Sequence, residues 1–379
     1  MGGHVLEHSG LGAERGAQRF AHWPPFVARI ALAVLAFLLA ASAAAPMNPP
    51  IAPERSAAAQ GGEGDIALYE AVTERVRHGE NYYDFIVPEQ RAHNYPVNPA
   101  LAVRLPTLAY TAAWLGDFGQ VAAAIVLMLG VIAAWRRKFR EDPALGRWTG
   151  MATAMVCVGA SLGVNRSFFP LHELWAGMLL ALSFGLHRIG TNGHGGHWAG
   201  AFLAAALALA IREHGLLFVL LMAATALYYR NWHEAAAWGA LVALFGAGLA
   251  WHLSVISREV LPSDPISPPW LVMRGLSGWL ANVVQSSNLR WLPHWLAGPA
   301  VVLMAFGWLG WNSRTGTFGC LLSAGYGLAF MLAGRWDNFY WGMMIAPAMF
   351  AGIVFAPRAL LSLVEAALPG ERAALAAVK

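Results

Sequence analysis

The sequence predicts an all-α, polytopic membrane protein of about ten transmembrane helices, and three observations carry that reading. Hydrophobic residues make up 58% of the chain and charged residues 12%, where a soluble domain carries about 25% charged residues. Apolar runs near the ~17–25 residues a bilayer crossing needs recur along the chain. Lys and Arg gather in short segments between those runs, as in cytoplasmic loops. The net charge of +4 is too small to signal a nucleic-acid partner. Cys157 and Cys320 both sit inside apolar runs, which excludes a disulfide framework.

Taken in order, the apolar runs are 26–45, 120–135, 148–164, 168–186, 235–256, 295–311, 316–333 and 339–356. The stretch 198–229 is too long for one span, and Arg212, Glu213 and His214 interrupt it. It reads as two short spans meeting at that tripeptide. Arg136, Arg137, Lys138, Arg140 and Arg147 share one loop, expected to be cytoplasmic. Alternation then puts Arg188, Arg230, Arg314, Arg358 and the tail residues Arg15 and Arg19 on the same side. A single span at 198–229 would break that parity. Residues 99–115 are apolar, yet a full span there would export the basic cluster. Arg104 and Pro106 favour an embedded helix on the outer side instead. The first run ends Ala-Ser-Ala-Ala-Ala-Pro, which resembles a signal-peptidase site, but the long tail before it favours an uncleaved anchor. The expected organisation is a cytoplasmic tail (1–25), one transmembrane domain (26–357) and a cytoplasmic C-terminal tail (358–379).

Two long loops, 46–98 and 257–294, fall outside. In the first, a Pro- and Ala-rich stretch gives way to an amphipathic juxtamembrane helix over 65–79. Tyr69, Val72 and Val76 form its apolar stripe. Asp65 sits at its N-cap and Gly79 just beyond its end. Asp65, Glu70, Asp84, Glu89, Glu173, Glu213, Glu259, Asp264 and Asp337 all fall outside or at the outer boundary. A charge at the bilayer centre costs ~2.5–3.5 kcal/mol on insertion scales. Such residues are tolerated only facing partners or water, so a polar cavity opening outward is expected.

The candidate residues each carry two readings. Asp65 is a helix cap or a general base, and one carboxylate oxygen suffices for a cap, so the roles are compatible. Glu173 with His172 is an acid/base or metal-binding pair, or Glu173 makes a local salt link, for instance to Arg166. Arg212 holds a phosphate, or Arg212, Glu213 and His214 form a polar turn whose charges satisfy one another. Arg335 and Asp337 lie in an aromatic belt, and the Arg335 guanidinium suits bidentate phosphate contact. His187, His194 and His197 lie in a Gly-rich turn and read as a solvated loop. Those glycines follow no strand, so a nucleotide-binding loop is unsupported.

The outer residues resemble a known family. Gly64-Asp65-Ile-Ala-Leu-Tyr69 is followed by His78-Gly79-Glu-Asn-Tyr82-Tyr83, then Tyr95-Pro96-Val-Asn-Pro99, then Arg104-Leu-Pro106-Thr-Leu leading into a span. This pattern resembles the GT-C superfamily of membrane glycosyltransferases, which use polyprenyl-phosphate sugars. The stretch from Arg335 to Gly342 is similar to a late-span segment of related bacterial proteins. The resemblance covers the topology of most of the chain through loose motifs. It implies a catalytic acidic residue at Asp65, on paired juxtamembrane helices, and a second acidic residue at Glu173. The family's paired acidic motif is absent, because Gly64 precedes Asp65, and this leaves a divalent metal ion open as a cofactor.

The implied activity is inverting transfer of a hexosyl or pentosyl unit, mannosyltransferase-like, from a polyprenyl-phosphate donor. The acceptor would be a hydroxyl of a glycan, glycolipid or protein at the periplasmic face of a bacterial inner membrane, in cell-envelope assembly. Arg335, Arg212 and Arg91, in that order, are expected at the phosphate. Arg104, His172, Glu213, His214 and Asp337 are further expected substrate contacts. Membrane lipid is an expected partner and nucleic acid is not. The rival reading is a lipid or small-solute transporter or flippase; a non-catalytic assembly subunit is a third. The long first loop and the lack of symmetry between halves argue against a transporter.

Overall fold

The computed structural model describes residues 19–48, 64–190 and 198–368. Among them the chain is all-helical, with no strand and one isolated bridge between Asn98 and Ile266. The expected turn residues His194 and His197 lie outside the described residues. Four segments are long and apolar enough to cross a membrane: Pro25–Ala44, Ala100–Arg140, Trp232–Glu259 and Arg314–Leu332. Shorter apolar helices accompany them, including Ala199–Ile211 and Leu216–Tyr228.

α1 (Pro25–Ala44) starts on a proline, whose missing N–H costs nothing at a helix start. α2 (Asp65–Arg77) and α3 (Tyr82–Ala92) form a helical pair in the expected first outer loop. α2 ends at His78, and Gly79 beyond it takes φ 89°, the left-handed conformation glycine adopts most cheaply. Leu68, Val72 and Val76 of α2 bury against Phe85, Ile86 and Val87 of α3 and against Ile256. This loop therefore carries a small apolar core of its own.

α4 (Thr107–Arg140) holds the embedded helix and the following span in one element, kinked at Gly116 with φ 63° and ψ −177°. The expected separate helix over 99–115 is thus a short 3-10 turn, Ala100–Ala102, and then the first turns of α4 up to that kink. α5 (Trp148–Ala160), α6 (His172–Leu186), α7 (Ala199–Ile211), α8 (Leu216–Tyr228) and α9 (Trp232–Glu259) follow. Between α7 and α8 the backbone opens at Arg212 to φ −143° and ψ 121°, which breaks the helix where the charged triplet sits.

The expected outer loop 257–294 holds an inserted helix, α10 (Gly275–Gln285), with Leu280, Val283 and Val284 buried. α11 (His294–Gly307) and α12 (Arg314–Leu332) precede a 3-10 segment, Trp336–Met344. A short α13 (Ala346–Met349) and α14 (Gly352–Ala367) complete the described chain. The boundary expected after 357 falls within α14, and Arg358 sits mid-helix.

The basic segments meet at one end of the molecule. Arg188 pairs with Glu141 at 2.6 Å. Arg314 donates to the Gly190 carbonyl and lies over Tyr229. Arg358 donates to the Ala144 carbonyl, and the Trp311 indole donates to Asp142 at 2.6 Å. Tyr229 and Gly190 both belong to this end, so α7 leaves it and α8 returns to it. At the opposite end the two loops expected to lie outside are clamped together. Arg91 makes a bidentate pair with Asp264, with Nε to Oδ1 at 2.6 Å and Nη2 to Oδ2 at 2.8 Å, and Ser267 donates its N–H to the Asn98 carbonyl at 2.6 Å.

Candidate active site

The end expected to face outward gathers charged side chains from four separated segments, and a fifth adds Tyr340. Arg212 is fully buried in the break between α7 and α8. Its Nε lies 2.7 Å from Oε1 of Glu173, on the first turn of α6, and its Nη1 donates to Glu213 Oε1 at 2.6 Å. Arg104, from the segment before α4, places Nη1 3.8 Å from the same Glu213 oxygen. Its Nε donates to the Tyr69 hydroxyl at 3.1 Å, while its carbonyl accepts the Tyr82 hydroxyl at 2.6 Å. Tyr69 packs edge-on against His172, ring centres 4.9 Å apart. One helical turn before Tyr69, Asp65 accepts the Tyr340 hydroxyl through Oδ2 at 2.6 Å.

A continuous polar line therefore runs Glu173, Arg212, Glu213, Arg104, Tyr69, and Asp65 and Tyr340 flank its end. Burial raises the Tyr69 hydroxyl above its ordinary value; the Arg104 cation opposes this, while the Asp65 and Glu173 carboxylates add to it. Trp341 closes one side, its ring 4.2 Å from His214 and 5.9 Å from the Arg212 guanidinium carbon. Arg212 Nη2, His172 Nδ1 and His214 Nδ1 are buried and find no hydrogen-bond partner among the described residues. Buried polar groups are usually satisfied, so a cluster of orphans marks a place where another molecule can supply the partner.

Two cavities reach this line from different sides. One, of about 280 Å³, lies between α2, α3 and the start of α4 and ends at Tyr69, Arg104 and His172. The other, of about 310 Å³, is lined mainly by apolar residues such as Leu101, Leu217, Trp270 and Phe330. Arg104, Glu213 and His214 stand at its polar end. Arg104 is the residue common to both linings.

The structure revises several sequence expectations. Asp65 does not cap α2: Gly64 is the N-cap and Asp65 is the first helical residue, with its carboxylate turned to Tyr340. An acidic first residue still gains from the helix dipole. Glu173 pairs with Arg212 and not with Arg166. Arg91 is committed to Asp264 and to the Glu259 carbonyl, so its expected place at a phosphate gives way to a clamp between loops. Arg335 contacts Asp337 at 3.1 Å, the Ser267 hydroxyl and the Pro268 carbonyl, and so sits with Asp337 at the rim, outside the buried line. His187, expected in a solvated loop, is buried and bonded to Glu234. Among the described residues no three His, Cys, Asp or Glu side chains converge as metal ligands.

Sequence reading passed over two further groups. Tyr340 was one aromatic among several in a belt, and nothing in its spacing pointed to Asp65. Arg274 lies along α10 over Gly278, where a Cβ would stand 2.8 Å from its own Cβ. Its Nη2 donates to the fully buried Asn282 at 3.0 Å, and Trp336 lies 5.3 Å from its guanidinium carbon. Arg274 pairs with no carboxylate among the described residues. The glycines at 275 and 278 beside an arginine were the available signal.

No family model matches this chain, and no curated protein and no solved structure matches it.

Proposed function

We propose that this protein is a membrane glycosyltransferase of the GT-C kind, moving a sugar from a polyprenyl-phosphate donor to an acceptor hydroxyl with inversion. The observation that carries the reading is the buried outer line. Carboxylates and guanidinium groups from four distant segments, joined by the Tyr340 phenol from a fifth, converge around Arg104, which lines both cavities. Burying Arg212 and Glu173 is expensive, because ion-pair burial seldom repays its desolvation cost. A surface turn would satisfy the same charges in water. Their retention in the interior, linked through Glu213 and Arg104 to the polar end of the apolar cavity, points to chemistry.

In this reading about ten crossings separate a cytoplasmic basic end from a periplasmic site in a bacterial inner membrane. Sharing one end among Glu141, Arg188, Arg314 and Arg358 supports that orientation. The apolar cavity takes the donor: its Leu, Phe and Ala wall accommodates a prenyl chain, and Arg104 at its polar end meets the phosphate. Arg212 holds Glu213 and Glu173 in place and adds positive potential beside the leaving group. Asp65 keeps one oxygen for Tyr340 and offers the other to the acceptor hydroxyl. The oxygen attacks the anomeric carbon, the carbon–phosphate oxygen bond breaks, the proton passes to Asp65, and polyprenyl phosphate leaves with the electron pair.

The test is Asp65→Asn in a membrane assay with a polyprenyl-phosphate sugar donor. Transfer should fall by ~10²–10⁴-fold, the usual contribution of a general base, with expression and detergent extraction unchanged. Unaltered transfer removes Asp65 from the mechanism. Lipid movement across vesicles without sugar transfer would favour the flippase reading.

A further inference from the structure

The cations where α4 gives way to α5 are not spent alike. Arg137 contacts Glu141 at 3.2 Å, and Glu141 also holds Arg188 at 2.6 Å. Lys138 is buried and donates to the His187 carbonyl. Arg147 lies over the Trp148 ring, its guanidinium carbon 5.3 Å from the centre, and Arg358 approaches the same ring at 5.2 Å. Arg136 and Arg140 are exposed and make no hydrogen bond, ion pair or ring contact among the described residues. They stand four residues apart near the end of α4, one above the other on a single face. Like charges at that spacing repel, so the pair destabilises the helix until an anion sits against it.

These two guanidinium groups form one wall of a cavity of about 610 Å³, well within the ~300–1,000 Å³ of ligand sites. The first turns of α5 supply the facing wall through Thr149, Gly150 and Thr153. α5 has no acidic residue in its first turn and no side chain capping its start, so its positive end adds to the same field. Gly150 leaves room there, since a Cβ would meet nothing within 4 Å. The one carboxylate in the lining, Asp142, is already engaged: it accepts the Ala144 N–H at 2.9 Å and the Trp311 indole N–H at 2.6 Å. A neighbouring cavity of about 210 Å³ shows the contrast. Its arginines, Arg137 and Arg188, are both answered by Glu141, which lines it too.

The level of the larger cavity suits a lipid headgroup. Trp148 stands at its edge, and tryptophan concentrates at membrane–water interfaces. Leu129, seven residues before Arg136 and so on the same face of α4, is exposed. Ala154 and Val158, one and two turns beyond Gly150 on α5, are exposed as well. An acyl chain running inward from the cavity therefore meets apolar side chains on both helices. A zwitterionic lipid would bring an ammonium group against two arginines and the positive end of a helix. A net-anionic lipid brings only the phosphate and neutral hydroxyls.

We infer that the cavity between α4 and α5 at the basic end binds an anionic glycerophospholipid of the adjoining leaflet, with its phosphate between Arg136 and Arg140. The inference needs a bilayer around the chain and does not depend on the glycosyltransferase reading. The bound lipid cancels the repulsion on α4 and ties that helix to α5.

The experiment uses the full chain, stripped of lipid in detergent and titrated with phosphatidylglycerol or phosphatidylcholine, with retained lipid counted by native mass spectrometry. Phosphatidylglycerol should bind at least ~10-fold more tightly. Arg136→Gln and Arg140→Gln should each weaken it by ~5-fold or more, about the weight of one cation at an anionic membrane surface. Arg137→Gln should stay within about twofold, because Glu141 already answers that charge. Gly150→Leu fills the cavity without altering charge and should weaken binding comparably to loss of one arginine. It carries the test if an arginine variant fails to fold. Equal affinity for the two lipids, or an Arg137→Gln effect as large as that of Arg136→Gln, overturns the site. Displacement of the lipid by glycerol phosphate at equal concentration assigns the cavity to a soluble phosphate and overturns the lipid.

Discussion

The two ends of this molecule handle charge in opposite ways. At the basic end the ion pairs are solvated: Arg188 and Glu141 are 42% and 38% exposed, and Arg137 is 71% exposed. At the outer end Arg212 and Glu173 are 0% and 2% exposed. The basic end does have one buried pair, His187 with Glu234, yet there Glu234 also accepts from Asn231 at 2.7 Å and Trp238 at 3.0 Å. His187 Nδ1 is left unmatched there, but the other end leaves more: Arg212 Nη2 and the Nδ1 atoms of His172 and His214. One set of charges orients and closes a structure; the other is held ready for something the protein alone does not provide.

Breaking the outer pair should hurt most. Arg212→Gln strands Glu173 in the interior and should cost about 3–5 kcal/mol of stability, read as a large loss of thermal stability in detergent. Arg188→Gln at the basic end should cost no more than about 1 kcal/mol. Equal losses at the two ends would erase the contrast. Arg104→Lys keeps the charge but loses the planar fork shared between Tyr69 and Glu213. A charged hydrogen bond is worth about 1.5–3 kcal/mol, so the donor KM should rise by roughly 10–100-fold with the fold intact.

How much of this was legible beforehand differs between ends. Charge parity located the basic end, because Lys and Arg in short loops report topology one residue at a time. The acidic inventory of the outer end was legible for the same reason. The pairings were not. Arg91 and Arg335 looked as suited to phosphate as Arg212, since guanidinium chemistry is identical in all three. Only packing shows Arg91 spent on Asp264 and Arg335 on Asp337.

A smaller effect sharpens the role of Tyr340. Tyr340→Phe removes one hydrogen bond from Asp65, worth about 1 kcal/mol. It should lower the transfer rate by about fivefold at an unchanged donor KM. An unchanged rate would make Tyr340 a packing residue. The smallest expected effect concerns the loop clamp. Arg91 holds the Asp264 carboxyl down at about 2. A depressed carboxyl contributes stability above its unfolded value, ~3.9. That contribution is lost as pH falls from about 4 through about 2. Hydrogen exchange in residues 257–270 should quicken over that window, and in Arg91→Gln it should already be fast at neutral pH.

By itself the sequence determined an all-helical chain with apolar segments long enough to cross a membrane, the break at Arg212 and the gathering of its basic segments at one end. Composition, apolar run length and loop charge are local quantities, and the bilayer acts on each of them locally. Tertiary structure alone decided that Asp65 meets Tyr340, 275 residues away, that Glu173 belongs to Arg212, and that two cavities share Arg104. Those facts depend on how helices far apart in the chain cross and dock, and helix docking is set by side-chain shape summed over many contacts, which no single stretch of sequence contains.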